Sequence, residues 1–232
     1  MFFRAADNSD SNSLASRMRR KRMEMLRQLI EDFPEPVRIL DVGGNVGFWK
    51  KHLEILHRQC HITALNLDIT NGASGPDIVQ VQGDARSMPQ YGDQSFDLCF
   101  SNSVIEHVGT LYDQMAMARE IRCVGKSYFL QTPNRYFPLE AHFLLPLWQF
   151  YPKTLRRLLY TRFTLGWMKR QPDPLLALAE IEQVRLLNLH EIRRLFPDAE
   201  IRREKIGPLT KSIIAIRRPN GAAAHAGTVG RL

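Results

Sequence analysis

A short apolar run that ends in an acid and a glycine-rich turn is the feature that most constrains the fold of this chain. The run covers residues 37–42 with Asp41 near its end, and a glycine-rich stretch follows it: Gly43, Gly44, Asn45, Gly47. An amphipathic pattern comes next, so the segment predicts a buried parallel strand over 37–41, a tight loop, and a helix over 48–57. Glycines let the backbone approach a ligand closely, and a helix N-terminus offers free N–H groups. The unit is therefore a candidate nucleotide-binding cradle at the carboxyl end of a first strand.

The position of Asp41 indicates which nucleotide the loop favours. A carboxylate in the loop would repel a pyrophosphate and would favour a cation, such as the amino group or sulfonium of S-adenosylmethionine. The pattern resembles motif I of the class I S-adenosylmethionine-dependent methyltransferases, whose loop reads DxGxGxG. Asn45 replaces the middle glycine, and we expect the turn to survive because asparagine adopts a left-handed conformation readily. An ordinary strand-to-helix turn stays open as an alternative, because a lone glycine fingerprint is a weak signal.

Two later segments strengthen this resemblance. A predicted strand over 77–82 ends in Gly83, Asp84 and Ala85, and a predicted fourth strand continues into the Ser-Asn…Glu-His-Val run of residues 101–108. Together they resemble the type 11 methyltransferases, which include relatives of the quinone-biosynthesis enzymes, over residues 37–135. The resemblance implies that Asp84 and Ala85 lie near the adenine of the cofactor, and that Asn102 and Ser103 also bind the cofactor.

Asn66 and Asp68 lie two residues apart at the end of the predicted second strand, 61–68. Alternation places them on one face of that strand. An acid at about this distance from a glycine loop typically binds ribose hydroxyls. The position of the ribose-binding acid in the family falls on Asn66, whereas the negative charge needed there favours Asp68. A capping role at the strand exit is an equal alternative.

The resemblance implies an α/β fold, a Rossmann-like, doubly wound, seven-stranded and mostly parallel sheet. We expect an N-terminal tail and helix over 1–36, a methyltransferase domain over 37–218, and a flexible tail over 219–232. A short helix over 189–196 is expected after Asn188, a residue able to cap it with Glu191. Residues 199–206 and 212–216 are expected to form the terminal strand pair. The segment 133–188 is too long for a plain loop and is rich in bulky and basic side chains. We interpret it as a helical lid over the carboxyl ends of the strands.

Candidate catalytic residues follow the fourth strand and begin the lid. His107 titrates near neutral pH, which suits a base, although Glu106 and His107 could instead pack and cap a helix. Glu140 and His142, with Tyr136, could face the substrate or form a polar rim on the lid. A metal site built from these histidines and glutamates is conceivable, but nothing in the sequence fixes its geometry, and we predict no bound metal.

Charge is unevenly distributed along this chain of 232 residues, whose net charge is +8. Residues 41–149 hold 8 basic and 11 acidic side chains, whereas residues 150–218 hold 15 basic and 7 acidic ones. Basic flanks suit an anionic substrate, a membrane surface or nucleic acid, and equally a solvated face. The arginine-rich helix 16–30 could lie on an anionic membrane, but the resemblance favours a helix that packs on the sheet or covers the cofactor pocket. No apolar run is long enough to span a membrane, and the three cysteines are scattered, so we expect a cytoplasmic location.

The predicted function is transfer of a methyl group from S-adenosylmethionine to a small-molecule acceptor, at oxygen. The acceptor could be anionic or lipid-linked, and peripheral membrane contact stays open. One alternative is a noncatalytic cofactor-binding module for a protein or membrane partner, and another is an RNA methyltransferase. Nucleic acid is disfavoured because no RNA-binding module is visible and the Asn-Pro-Pro-Tyr type motif of amino-methylating relatives is missing.

Overall fold

The computed structural model describes residues 13–69, 75–140 and 142–219. The expected tails over 1–12 and 220–232 lie outside the described residues. The helices are α1 (Leu14–Ile30), α2 (Val46–His52), α3 (Leu111–Val124), α4 (Lys153–Arg162), α5 (Pro174–Glu182) and α6 (Leu189–Leu195). The strands are β1 (Val37–Val42), β2 (Cys60–Asn66), β3 (Ile78–Gln82), β4 (Phe96–Asn102), β5 (Gly125–Pro133), β6 (Glu200–Ile206) and β7 (Leu209–Arg217).

The described strands form one sheet of seven, in the order β3-β2-β1-β4-β5-β7-β6. Strands β1 to β5 pair in parallel, and β7 pairs antiparallel with both β5 and β6. This confirms the predicted doubly wound, mostly parallel sheet. The strand order reverses between β1 and β4, so the carboxyl ends of these two strands border the crevice where such sheets bind ligands.

Helices cover both faces of the sheet, because the central strands carry apolar side chains on both sides. On one face, Leu26 and Ile30 of α1 join Trp49 of α2 in a buried cluster with Ile39 and Phe129 of the strands. Helix α1 therefore packs on the sheet, which is one of the positions expected from the sequence. Its apolar stripe is buried against the strands and does not face a membrane.

A second buried cluster covers the opposite face. It joins Ile121 of α3 and Phe196, just after α6, to Leu40 and Tyr128 of the strands. Helix α6 begins with a capping box, in which Asn188 and Glu191 each accept a backbone N–H of the other. The sequence had indicated this cap, which fixes where the chain returns from the lid to the sheet.

The segment 133–188 folds over the carboxyl edge of the sheet as a helical insertion with its own core. Phe143 stacks on Trp148, with ring centroids 4.4 Å apart, and both are buried with Tyr160 of α4. A parallel bridge between Asn134 and Leu187 joins the two ends of the insertion beside β5. The segment therefore carries helices and a small core of its own, and its role as a lid stays a prediction. Among the described residues, no helix is long and apolar enough to cross a membrane.

Candidate functional site

A cleft of about 730 Å³ opens where β1, β2, β3 and β4 end. We call it the sheet-edge cleft. The loops after these strands supply most of its wall, and the lid contributes Gln183. Its lining includes Gly43, Asn66, Asp68, Gly83, Asp84, Ala85, Arg86, Val104 and His107. Several of the residues selected from sequence thus come together at one edge of the sheet.

The glycine-rich loop turns at Gly43, which has a φ of 78°. Its N–H donates to the carbonyl of Leu65 at 2.8 Å, and a Cβ at this position would lie 2.4 Å from Cγ1 of Val104. Asn45 is extended, with a φ of −126°, and its Oδ1 accepts the N–H of Gly47 at 2.7 Å. The expected left-handed Asn45 is therefore wrong. Gly43 supplies the positive φ, and Asn45 is the N-cap of α2.

Asp41 lies beneath the loop and is only 2% exposed. Its Oδ2 accepts the indole N–H of Trp49 at 2.5 Å, and a Cβ on Gly44 would lie 1.9 Å from the same oxygen. Burial raises the pKa of Asp41 to about 7, against the smaller opposing effect of the Trp49 hydrogen bond. The expectation that this carboxylate faces a cationic ligand is corrected, because Asp41 supports the loop from below.

The buried Asp41 makes stability depend on pH. Its pKa in the folded state, about 7, exceeds the ordinary 3.8, so folding is penalised progressively as the pH rises from about 4 to 7. We expect Asp41→Asn to remove this penalty, on the order of 2–4 kcal/mol above pH 7, and to flatten the fall in Tm between pH 5 and pH 8. A residual slope remains, because burial also raises the pKa of Glu106 to about 7. Thermal melts across that pH range test this, and parallel slopes for the two proteins would contradict it.

The two candidates for binding a ribose differ in what they already contact. Asn66 donates from Nδ2 to the carbonyl of Gly44 at 2.5 Å, so its amide holds the loop. Asp68 lies just beyond β2, is exposed, and lines the sheet-edge cleft. Within the described ranges its carboxylate has no hydrogen bond or ion pair. Both side chains line the cleft, but Asp68 offers two carboxylate oxygens to ribose hydroxyls, whereas the amide of Asn66 is held against the loop and offers only its Oδ1.

Asp84 and Ala85 line the same cleft beyond β3. The carboxylate of Asp84 accepts from Nε and Nη2 of Arg86, the latter at 2.7 Å, and Arg86 also contacts Asp113 at 3.1 Å. The hydrogen bonds from Arg86 lower the pKa of Asp84. Arg86 was not selected from the sequence, and it holds Asp84 ionised at the cleft wall.

Asn102 and Ser103 lie on the wall of a second space, which we call the lid cavity. It measures about 300 Å³ and lies between β4, β5, α1 and the lid. Arg22 of α1 donates to Oδ1 of Asn102 at 2.7 Å, and Oγ of Ser103 donates to Gln131 at 2.9 Å. Arg22 and Gln131 hold both residues on this wall, beside the sheet-edge cleft, and their contacts with the cofactor stay a prediction.

Three of the candidate catalytic side chains form a continuous chain of contacts. Oε1 of Glu140 lies 2.6 Å from Nδ1 of His142, and Nε2 of His142 lies 3.1 Å from Nε2 of His107. Glu140 also accepts the N–H groups of His142 and Phe143, so one buried carboxylate fixes both the ring and its backbone. His107 lines the sheet-edge cleft and Glu140 lines the lid cavity. The chain of contacts therefore connects the two spaces.

The two histidines have pKa values that diverge. Burial and the charge of His142 lower the pKa of His107 to about 4, despite the opposing charge of Glu140. Burial also opposes protonation of His142, but the hydrogen bond and charge of Glu140, with the charge of Glu106, raise its pKa. A proton shared by the pair is therefore held at His142, which is adjacent to Glu140.

Glu106 lies beneath this chain and is fully buried. Its Oε2 accepts the hydroxyl of Thr132 at 2.9 Å, whereas its Oε1 has no hydrogen-bond partner among the residues that the structure describes. One ligand atom each of Glu106, His107 and His142 lies within 4.8 Å of the others, a spacing that a metal ion could also bridge. The absence of a metal stays a prediction. Thr132 was not identified as a site residue from the sequence, because it reaches Glu106 only when β5 pairs beside β4.

Tyr136 does not join this group. Its side chain is 64% exposed and stacks on Phe150, with ring centroids 6.1 Å apart. The expectation that Tyr136 acts with Glu140 and His142 is corrected, because the lid directs its ring toward solvent. A loop position cannot be assigned a side-chain direction from sequence alone.

Comparisons with known proteins agree with this architecture. A family model described as a methyltransferase domain matches residues 14–198, and this description is broader than the type 11 resemblance. The PH0226 protein of Pyrococcus horikoshii OT3 is similar in fold, with a TM-score of 0.51, 14% identity, and coverage of 90% of this chain and 93% of that one. The CurJ carbon methyltransferase gives 0.53 at 13% identity, covering 89% of this chain and 56% of that one.

A Rhodobacter sphaeroides protein named as a Zn-dependent alcohol dehydrogenase has a TM-score of 0.53 at 10% identity, with 82% of this chain and 87% of that one covered. At such identities these likenesses establish the fold alone. No curated protein sequence matches the chain.

Proposed function

This chain belongs to the S-adenosylmethionine-dependent methyltransferases, and we propose that it methylates an oxygen atom of a small-molecule acceptor. The proposal rests chiefly on the contacts from Glu140 through His142 to His107, which run between two adjacent spaces. A base is needed when the acceptor is a hydroxyl, because its oxygen must lose a proton as it gains the methyl group.

The sheet-edge cleft suits the cofactor. Gly43 leaves room beside Val104, where a Cβ would collide, and Asp68 presents to ribose hydroxyls a carboxylate that no described residue contacts. Asp84 supplies ionised acceptor oxygens for an adenine amino group at the same wall. When bound, S-adenosylmethionine supplies the electrophilic methyl group.

The lid cavity suits the acceptor. The lid contributes Phe137, Leu139 and Leu144 to its wall, and the cavity is small enough to enclose a single-ring compound and exclude water. The cavity wall includes Ser103, which directly precedes Val104 of the sheet-edge cleft, and also Glu140, which contacts His142. An acceptor in the cavity would therefore lie beside the cofactor. Holding the two reactants side by side in this way supplies much of the rate enhancement of a bimolecular transfer.

The three side chains can move the acceptor proton in one direction. With Glu140 ionised, Nδ1–H of neutral His142 donates to Glu140, which leaves Nε2 of His142 able to accept from Nε2–H of His107. His107 then offers Nδ1 to the acceptor hydroxyl. As Nδ1 takes that proton, Nε2–H passes to His142, and the imidazolium formed there is stabilised by Glu140. His107 returns to its neutral state, in agreement with its lowered pKa.

A turnover screen tests the proposal directly. The purified chain is incubated with labelled S-adenosylmethionine and a panel of phenols, sugars and hydroxy acids, and label transfer is followed with a matched panel of O-methyl ethers as controls. Transfer to a free hydroxyl, and not to its ether, supports an oxygen acceptor. Binding of S-adenosylhomocysteine without any turnover would favour a noncatalytic module, and transfer to RNA alone would favour an RNA methyltransferase.

Replacing Asp68 tests the cofactor position. We expect Asp68→Ala to weaken binding of S-adenosylhomocysteine about tenfold, because charge-assisted hydrogen bonds to ribose hydroxyls are lost. Calorimetric titration measures this, and Asp32→Ala, which removes an exposed acid between α1 and β1 that is outside the cleft wall, is the control for altered net charge. Equal affinities for wild type and Asp68→Ala would exclude Asp68 as the ribose ligand and leave Asn66 as the candidate.

A further inference from the structure

Three basic side chains converge on the lid cavity, and within the described part of the chain one of them has a carboxylate partner. They are Arg19 and Arg22 of α1 and Lys211 of β7. Arg22 is buried, and its Nε lies 2.7 Å from Glu204 on β6. Its Nη1 donates to Asn102 and Gln131, so Arg22 serves as a structural clamp at the ends of β4 and β5.

Arg19 and Lys211 have no such compensation. Among the residues described, the guanidinium of Arg19 makes no hydrogen bond or ion pair, and Nζ of Lys211 contacts only the thioether of Met18, at 3.7 Å. Burial and the charge of Arg22 lower the pKa of Arg19. Burial and the charges of Arg22 and Arg19 likewise lower the pKa of Lys211, with Glu204 opposing them. Two partly buried cations that repel each other destabilise the protein unless an anion lies between them.

Much of the remaining cavity wall is apolar. The lid and the segments beside it contribute the apolar side chains of Phe137, Leu139, Leu144 and Leu186. A ligand that satisfies both parts of the wall has an anionic group at one end and an apolar body. We propose that the lid cavity binds an acceptor carrying a carboxylate or phosphate group, which Arg19 and Lys211 bind while the lid encloses its apolar part. The inference rests on the proposed function, since it takes this cavity as the acceptor site.

The charges in the cavity would also orient such an acceptor. Glu140 lines the cavity as well, and its carboxylate repels an anionic group away from the relay. The acceptor would therefore place its anion against Arg19 and Lys211 and its hydroxyl toward the sheet-edge cleft, whose wall includes His107. In this arrangement the two cations are positioning residues that select the substrate, and they take no part in proton transfer.

Three small probes test the site in the full chain: benzoate, phenyl phosphate and the neutral benzamide. Binding is measured by ligand-observed NMR, with and without saturating S-adenosylhomocysteine. We expect benzoate or phenyl phosphate to bind saturably and benzamide to bind at least about tenfold more weakly, because it lacks the charge. Preference for one of the two anions identifies the acceptor group as carboxylate or phosphate.

Two variants and one matched control locate the binding. Arg19→Gln and Lys211→Met are each expected to weaken the anionic probe about tenfold, whereas Arg20→Gln, an exposed arginine of the same helix outside the cavity wall, leaves it unchanged. Folding is checked by Tm, which should equal or exceed that of wild type because repulsion is relieved. Equal binding of benzoate and benzamide, no saturable binding of either anion, or an equal loss in Arg20→Gln would overturn the inference. Binding of the anions by a protein that fails to bind S-adenosylhomocysteine would instead overturn the proposed function.

Discussion

Replacing His142 with alanine is expected to lower kcat by about 10²- to 10⁴-fold, the usual contribution of general acid–base catalysis. His142 accepts the proton from His107 at a nitrogen separation of 3.1 Å and is held by Glu140 at 2.6 Å. Without the imidazole, His107 must retain the proton itself, and its lowered pKa disfavours that state. Steady-state kinetics with the acceptor found in the turnover screen measures the loss, and affinity for S-adenosylhomocysteine should be unchanged. Tyr136→Phe is the control, because that exposed ring lies outside the relay.

The pH dependence distinguishes a proton relay from a packing role. The relay requires neutral His142, so the rate should fall as the pH drops through the pKa of His142, which lies above its ordinary 6.5. Glu140→Gln removes the principal interaction that raises this pKa, so the acid limb should move to lower pH. An unchanged acid limb in Glu140→Gln, or full activity of His142→Ala, would contradict the relay. Loss of activity on treatment with EDTA would indicate that Glu106, His107 and His142 hold a metal instead.

Replacing Gly43 with alanine is expected to weaken binding of S-adenosylhomocysteine by about tenfold or more and to destabilise the protein by about 2–4 kcal/mol. Two penalties add at this position. The φ of 78° is unfavourable for any residue with a side chain, and the new Cβ would lie 2.4 Å from Val104, which lines the sheet-edge cleft. Thermal melts and calorimetric titration with S-adenosylhomocysteine measure the two effects.

A double variant separates the two penalties. Val104→Ala in the Gly43→Ala background removes the collision but leaves the backbone strain, so stability and affinity should recover in part. Gly92→Ala is the matched control, because a Cβ there meets nothing within 4 Å and its backbone has no positive φ. Full-strength binding by Gly43→Ala alone would mean that the loop is not the cradle of the cofactor.

Local patterns in the sequence predicted most of the fold. The run over 37–42, the Gly-Asp-Ala turn at 83–85 and the capping pair of Asn188 and Glu191 are each decided by neighbouring residues, and the structure has them as expected. Asn45 was misjudged in its backbone conformation and Tyr136 in its side-chain direction, and neither is fixed by neighbouring residues. Asn45 turned out to cap a helix with an extended backbone, and the lid orients Tyr136 outward.

The sequence by itself determined the strands and the position of the glycine-rich turn, because period and turn chemistry act over a few residues at a time, and its motifs resembled those of the methyltransferases. Only the tertiary structure decided which groups meet. His107 and His142 are 35 positions apart, and Arg22 reaches partners 80 and 109 positions away. Burial of Asp41, the opposed pKa values of the two histidines and the uncompensated charges of Arg19 and Lys211 likewise depend on what packs around each group. Desolvation and charge proximity are properties of the assembled fold, and no local pattern encodes them.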